Sequence, residues 1–353
     1  DFRFALSAKL AGFAVTVPAA IAFRSYWALA LGILATRIWS VCASYVMHPY
    51  RPRFSLAAFG ELIHFSKWLL LNNILLYLKS RASDFVIGRI SGARALGLFN
   101  VSYEIANLPT TELVMPINRA VYSGYAQMGT DRAVLRQGFL NVISVITAFA
   151  LPAGVGIAVS VPILVPLALG SQWLDAVPLV QVLAIYGVLI ALQTNTLYVY
   201  IALGEPRTAT LLNALHVGML VPALIYGTTT AGATGAAWAC LATAILNAPV
   251  NAWVLLRRLD MTPRELLQAA WRPIPAAAAM YFAVSAYLAG PADVSHASGV
   301  LHLLGVAALV CVAGALVYGG ILWLAWRATG RPDGIERECL RRLPARLARR
   351  LGA

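Results

Sequence analysis

Long apolar stretches separated by short polar ones dominate this chain. Apolar stretches of about 18 or more residues are typical of helices that cross a membrane. Ten such spans can be drawn: 5–23, 26–47, 61–90, 95–125, 134–160, 175–203, 208–226, 232–256, 273–288 and 300–326. A short segment flanked by prolines, 161–170, is predicted only to dip into the membrane interface. The pattern predicts an all-α polytopic membrane helix bundle.

The composition supports this interpretation and excludes a soluble domain. Hydrophobic residues make up 60% of the 353 positions and charged residues only 12%. Soluble domains carry about 25% charged residues, so much of this surface must face lipid. The net charge of +13 comes largely from short loops between apolar spans, so we expect no nucleic-acid partner.

The basic residues also predict an orientation. Basic side chains favour the cytoplasmic side of a membrane. With the N-terminus inside, 19 arginines and lysines lie on the cytoplasmic side, and only Arg24, Arg89 and Arg94 lie outside. Both ends of this chain are therefore predicted to lie in the cytoplasm, at a bacterial-type inner membrane. Residues 327–353 form a basic tail with a leucine stripe, which predicts a helix on anionic lipid; a solvated tail is the alternative.

No catalytic or metal-binding pattern is present. The sequence has no GxxxxGK[ST] loop, no HExxH and no nucleophile elbow. The four cysteines show no CxxC pair or ligand spacing. We expect a protein that is not an enzyme and that holds no cofactor and no metal.

Polar residues recur at helical spacing inside the predicted spans. Ionisable side chains within a bilayer usually face protein or a wet cavity because insertion costs a few kcal/mol each. One interpretation is a net-cationic cavity where these faces converge; the other is internal pairing, such as Arg81 with Asp84. Five spans carry such stripes, which favours the cavity. The candidate substrate-binding residues are Arg37, Lys79, Arg81, Asp84, Glu104 and Arg119.

Several motifs, in order, resemble one known family. The strongest run has Asp84, then Ile87-Gly88, Ser91-Gly92 and Ala95-Leu96-Gly97-Leu98-Phe99. Further matches are Leu108-Pro109, Met115-Pro116, Asn118-Arg119, Gly170 with Trp173, Ala202 to Arg207, and Gly232 to Gly235. The chain resembles the polysaccharide (lipid-linked oligosaccharide) flippases of the multidrug/oligosaccharidyl-lipid/polysaccharide exporter superfamily. It departs from the pattern at Ser123-Gly124, where that family commonly has a proline.

The resemblance implies a fourteen-span, two-lobed exporter fold, of which this chain supplies ten spans. On that map, 1–47 is the end of an incomplete first lobe and 48–60 a cytoplasmic linker. Residues 61–258 form a complete six-helix second lobe, 259–326 a loop and two additional helices, and 327–353 the tail. We expect about four further helices before Asp1.

The implied function is translocation of an undecaprenyl-pyrophosphate-linked oligosaccharide for O-antigen, capsule or exopolysaccharide. Arg37, Lys79, Arg81 and Arg119 would contact the anion, while Asp84 and Glu104 would tune them or hold a coupling ion. The lipid-linked cargo and membrane lipid are the expected partners, with a polysaccharide polymerase and a chain-length regulator as further candidates.

Two other functions compete with this hypothesis. A drug/cation antiporter of the same superfamily should show more acidic residues within the spans, whereas the bias here is basic. A membrane glycosyltransferase or polysaccharide polymerase generally needs large outer loops with charged catalytic residues. The outer loops of this chain are short and nearly uncharged. A purely structural scaffold would not explain the polar stripes.

Overall fold

A computed structural model describes residues 2–25, 27–47, 59–128, 131–289 and 300–329. In these ranges the chain forms helices and turns, with no strand, which confirms the predicted all-α class. The predicted tail, the linker up to residue 58 and the outer loop near residue 295 lie outside the described residues. The helices are α1 Phe2–Phe23, α2 Trp27–Met47, α3 Phe59–Ile90, α4 Gly92–Leu108, α5 Met115–Met128, α6 Arg132–Leu169, α7 Val177–Thr194, α8 Thr196–Ala202, α9 Pro206–Arg258, α10 Pro263–Ala270, α11 Pro273–Ala289 and α12 Val300–Ala328.

The chain divides into two compact units, Asp1–Ile63 and His64–Ala353. In the first unit α1 and α2 pack as a hairpin through two Gly–Thr pairs. A Cβ on Gly12 would overlap the hydroxyl of Thr36, and one on Gly32 would overlap that of Thr16. Each threonine hydroxyl donates to a glycine carbonyl on its own helix at 2.8 Å. Small residues of this kind let membrane helices approach closely.

In the second unit α7 is the central helix and packs against α4, α6 and α9. Its side chains Leu183 and Ala184 belong to a buried cluster with Phe99, Val161 and Leu224. A helix that is apolar nearly all round is expected at such a position. Of its polar side chains, Gln193 and Thr194 near the end of the helix are partly buried, whereas Gln181 is exposed.

Helix α9 is two arms joined by a sharp kink at Ala231 and Gly232. Gly232 has φ +60, a conformation that favours glycine because it lacks Cβ. The backbones of the arms nearly touch, since a Cβ on Gly235 would overlap the carbonyl of Gly227. The small residues from Gly232 to Gly235 thus form a close packing contact, and α9 supplies two predicted spans.

The fourth predicted span is one continuous helical run rather than a broken one. Pro109–Val114 forms a π-helical segment between α4 and α5, where the proline cannot supply a helical N–H. Thr110 Oγ1 donates to the carbonyl of Gly187 on α7 at 3.2 Å. The bulge is therefore held by a contact with the central helix.

The prediction that residues 161–170 only dip into the membrane interface is wrong. Helix α6 continues through it to Leu169 despite three internal prolines, because Val161, Ile163 and Val165 are buried in the bundle. Gly170, with φ +91, ends the helix. At the other end the Asp131 carboxylate accepts hydrogen bonds from two backbone N–H groups of the first turn, a standard N-cap.

Six helical stretches are long and apolar enough to cross a membrane, and α11 is a shorter apolar helix. The six stretches are Leu6–Phe23, Trp27–Val46, Arg132–Leu169, Ser171–Ala202, Pro206–Arg258 and His302–Ala328. Counting both arms of α9, together with α3, the α4–α5 run and α11, the described residues contain ten helical rods. The predicted membrane bundle of about ten helices is confirmed.

Candidate functional site

The polar residues of α7 and α9 face one another inside the second unit. On α9, Asn247 and Asn251 are four residues apart, and Asn213 and His216 are three apart, so each pair shares a helix face. Gln193 lies near the end of α7. Asn247 and His216 are 2% and 1% exposed, so these groups are well removed from the surface.

A hydrogen-bond network joins α7 to both arms of α9. Gln193 Oε1 accepts from Asn247 Nδ2 at 3.3 Å and from Asn251 Nδ2 at 3.5 Å. Asn247 Nδ2 also lies 3.1 Å from His216 Nδ1; the ring nitrogen accepts, because an amide nitrogen only donates. Buried polar groups need such partners to offset the loss of water.

Helix α3 is fastened to the first arm of α9. Asn213 Nδ2 donates to Asn72 Oδ1 at 2.8 Å. One turn earlier on each helix, Thr210 Oγ1 donates to the carbonyl of Trp68 at 2.9 Å. Lys79 lies seven residues after Asn72, two helical turns along the same face. The hydrogen-bonded face of α3 therefore carries Lys79 into the bundle.

These side chains line a cavity of about 340 Å³. We call it the polar cavity and define it by Lys79, Gln193, Asn213, His216, Asn247 and Asn251. Tyrosines 103, 186, 198 and 200 complete much of its wall. Among its described lining residues there is no aspartate or glutamate. Lys79 is the one lysine or arginine among those described lining residues.

The Lys79 ammonium lacks a counter-ion in the described part of the chain. None of the four ion pairs formed by these residues includes it. An ammonium group has three donors and no acceptor, and half-burial removes much of its water. The cavity is therefore a cationic site surrounded by uncharged hydrogen-bonding groups.

The other five predicted site residues lie elsewhere. Arg37 is exposed on α2 in the first unit, and Glu104 and Arg119 are exposed on α4 and α5. Arg81 pairs with Asp84 at 2.9 Å near the surface. Lys79 points away from Arg81 because two residues along a helix turn the side chain by about 200°. Only Lys79 of the six lines the polar cavity; substrate contact by any of them stays a prediction.

Sequence reasoning identified part of this site and missed the rest. Lys79 was among the predicted site residues, and the polar stripes predicted for five spans include those at Gln193 on α7 and at Asn247 and Asn251 on α9, which face inward. Asn213 and His216 were not among the predicted site residues. The available signal was the three-residue spacing of Thr210, Asn213 and His216, which places polar groups along one helical face.

A second concavity of the same unit has the opposite chemistry. Helices α6, α11 and α12 pack together around a groove of about 640 Å³. We call it the apolar groove and define it by Pro152, Gly156, Met280, Val310, Gly314 and Gly319. Its described lining residues include no charged side chain. The hydroxyl of Tyr318 is turned to the carbonyl of Ala148 at 2.7 Å, which removes it as a polar feature of the wall.

Comparison with known protein families identifies the family of this chain. The profile of a family described as polysaccharide biosynthesis protein matches residues 1–178. The chain belongs to that family. The membership confirms the resemblance inferred from the motifs of α3 to α5, which lie within the matched part.

This family member has two informative sequence relatives. It is 29% identical to the lipopolysaccharide biosynthesis protein WzxC of Escherichia coli (strain K12), covering 76% of this chain and 55% of WzxC. It is 25% identical to the teichuronic acid biosynthesis protein TuaB of Bacillus subtilis (strain 168), covering 64% of this chain and 47% of TuaB. The chain thus spans about half the length of these curated relatives.

A solved structure supports the fold. The lipid II flippase MurJ in an inward closed conformation superposes with a TM-score of 0.67 at 14% identity, covering 92% of this chain and 68% of MurJ. At this identity the likeness concerns the fold. The family member therefore shares the exporter-type arrangement of helices that its motifs implied.

Proposed function

We propose that this protein is a transporter that moves a lipid-linked oligosaccharide from the cytoplasmic to the outer leaflet of the bacterial inner membrane. The cargo is an undecaprenyl-pyrophosphate glycan destined for O-antigen, capsule or exopolysaccharide. It would work by alternating access rather than by catalysis. A polysaccharide polymerase and a chain-length regulator are the proposed partners, since they would act on the delivered cargo.

The observation that carries this proposal is the coexistence of two opposite concavities in one apolar bundle. A glycan head group is excluded by hydrocarbon because burial without hydrogen bonds costs several kcal/mol for each polar group. The polar cavity offers amides, hydroxyls and an ammonium in place of water. The apolar groove offers only a hydrocarbon-like wall. A cargo with a sugar end and a polyprenyl tail matches both.

The contacts of the second unit are consistent with the proposed orientation. At one end, Arg132 pairs with Asp260 at 3.3 Å and Arg258 with Glu205 at 3.0 Å; Arg136 pairs with Glu265. These basic residues belong to the set assigned to the cytoplasm. The α3–α4 turn at Ser91 lies beside the α9 kink at Gly232, where the outer loops are assigned.

We propose that the exposed cations bind the pyrophosphate group of the cargo. Arg37 and Arg119 have no ion-pair partner in the described residues, whereas Arg81 is held by Asp84. Phosphate groups are commonly bound by arginine side chains. Asp84 would position Arg81, and Glu104 would tune the local charge or hold a coupling ion.

Deletion of the gene in its own host tests the transport function. The strain should accumulate lipid-linked precursor in the inner leaflet and lose surface polysaccharide, and the intact gene should restore export. A polymerase deletion would instead leave single repeat units in the outer leaflet. Normal export without the gene, or a precursor already translocated, would refute the proposal.

The roles of the exposed arginines can be tested in the same strain. Arg37→Ala and Arg119→Ala together should reduce surface polysaccharide while the protein stays at its normal level in the membrane. Arg24→Ala, a cation at a turn outside these helices, is the matched control. Normal export by the double variant would end the anion-contact role.

A further inference from the structure

The Lys79 ammonium, which has no counter-ion among the described residues, would be stabilised by a bound anion. A charge held partly out of water is costly unless an opposite charge and hydrogen bonds accompany it. The nearest carboxylate on its own helix, that of Asp84, is already engaged by Arg81 at 2.9 Å. The described lining of the polar cavity supplies no other acid. A ligand bearing a negative group would complete the site.

Four further polar atoms of the wall lack partners in the described part of the chain. They are Gln193 Nε2, Tyr200 OH, His216 Nε2 and Asn247 Oδ1, all buried. The set contains an amide donor, an amide acceptor, a hydroxyl that can donate or accept, and His216 Nε2, which carries the ring proton because Nδ1 accepts from Asn247. Hydroxyl groups of a ligand satisfy both kinds, because each hydroxyl donates and accepts.

Aromatic rings lie between these polar groups. Tyr103 and Tyr186 approach with ring centroids 6.3 Å apart, and both line the cavity together with Tyr198. A tyrosine presents an apolar face and a polar tip. Rings of this kind suit a ligand with a carbon skeleton surrounded by hydroxyls better than a fully hydrated ion.

The size limits the ligand to a small one. Ligand pockets usually measure about 300–1,000 Å³, and the polar cavity lies at the small end with about 340 Å³. It suits one ring rather than an extended chain. A bare metal cation is disfavoured, because Lys79 would repel it.

We propose that the polar cavity binds one acidic sugar ring of the hexuronate class, with its carboxylate on the Lys79 ammonium and its hydroxyls on Gln193, His216 and Asn247. This deepens the proposed function, on which it rests, by naming a sugar of the cargo. A phosphate diester shares the negative charge, but it has no hydroxyl of its own to donate to the amide oxygen of Asn247. Phosphate sites also typically converge several cations or backbone N–H groups.

Binding to the purified chain in detergent tests this site. The probes are methyl β-glucuronide, methyl β-glucoside and inorganic phosphate, titrated calorimetrically at constant ionic strength. We expect the glucuronide to bind about tenfold tighter than the glucoside, a difference of about 1.4 kcal/mol. Lys79→Met should abolish that preference, and Lys79→Arg should retain much of it.

Lys67→Met is the matched control, because Lys67 lies on the same helix but is exposed beside Trp68. It should keep the full preference for the acidic sugar. Size-exclusion chromatography identifies any variant that fails to fold, and Lys79→Gln provides a second neutral side chain.

Several results would overturn the assignment. These are equal binding of the two glycosides, an unchanged preference in both neutral Lys79 variants, tighter binding of phosphate, and no binding of any sugar. If deletion of the gene still blocks polysaccharide export, any of these results refutes the sugar site alone and leaves the transport proposal in place. If the glucuronide binds but the deletion strain exports normally, the transport proposal fails and the sugar site remains.

Discussion

The polar cavity and the apolar groove lie in the same unit, the cavity beside α7 and the groove beside α6, yet they are built differently. Gln193, Asn247 and Asn251 hold α7 and α9 together by side-chain hydrogen bonds around the cavity. Around the groove, α6, α11 and α12 meet through alkyl side chains and glycines. The comparison shows that one apolar bundle can contain both a polar and an apolar concavity. This is possible because its polar side chains are concentrated around the polar cavity.

The contact between α6 and α7, the helices beside which the two concavities lie, is the most sensitive point of this comparison. Gly154 on α6 packs against Val188 on α7, where an added Cβ would overlap Val188 and lie 3.3 Å from the carbonyl of Ala184. Gly154→Leu should therefore separate the helices and lose about 1–3 kcal/mol or more. Folded yield and thermal midpoint in detergent measure this. Gly218→Leu is the control, because its Cβ would meet nothing within 4 Å; equal behaviour of the two variants would contradict the close packing.

The hydrogen-bond network of the polar cavity should give the next largest effect. Asn247→Leu keeps the approximate shape but removes the donor to His216 Nδ1 and the shorter of the two bonds to Gln193, which costs about 1–3 kcal/mol. The thermal midpoint of the purified protein should fall. Asn73→Leu, at an exposed position of α3, should change it little. A midpoint for Asn247→Leu at or above that of the native protein would show that the network is not needed for folding.

Filling the apolar groove should affect transport and not stability. Gly319 lines the groove, and its Cβ would meet nothing within 4 Å, so Gly319→Phe should fold normally while occupying the space proposed for the lipid tail. Precursor translocation in cells should fall several-fold. Gly320→Phe is matched, since Gly320 is equally free of contacts but is not part of the described lining. Full translocation by Gly319→Phe would remove the groove from the cargo path.

The smallest effect is expected at the ion pairs that belong to neither concavity. Arg132 and Asp260 lie 3.3 Å apart with side chains 55% and 70% exposed. Exposed pairs contribute about 0–1 kcal/mol, so Asp260→Asn should lower the thermal midpoint slightly, and less so in high salt because screening weakens the native pair. Asparagine also tolerates the positive φ of this position. A fall in the thermal midpoint as large as that of Asn247→Leu would show that the Arg132–Asp260 pair contributes substantially to folding stability.

The helices were predictable from the sequence because apolar length and helical periodicity are local properties. The ends of α3, α11 and α12 fall within a few residues of the predicted ones. The error at 161–170 arose from reading prolines as breaks, whereas burial of Val161 and Val165 carries α6 through them. Tertiary packing outweighed the local signal there.

The candidate site was only partly predictable because a polar stripe does not reveal which way its helix is turned. The stripes of α7 and α9 face inward, while Tyr77 and Arg81 on α3 are exposed and Lys79 faces the cavity. The sequence placed Lys79 and Arg81 in one candidate set, although they lie on different faces of α3. Rotation of α3 is decided by Asn72, whose bond to Asn213 joins positions 141 residues apart.

The sequence by itself determined an all-α membrane bundle of the polysaccharide biosynthesis protein family, because hydrophobic length, charge distribution and motif order are properties of the chain itself. Only the tertiary structure decided that Lys79 lies among amides with no counter-ion in the described residues, and that an apolar groove lies between α6, α11 and α12. Those facts depend on distances between helices that are far apart in sequence. Packing determines these distances, and the periodicity of the sequence does not reveal them.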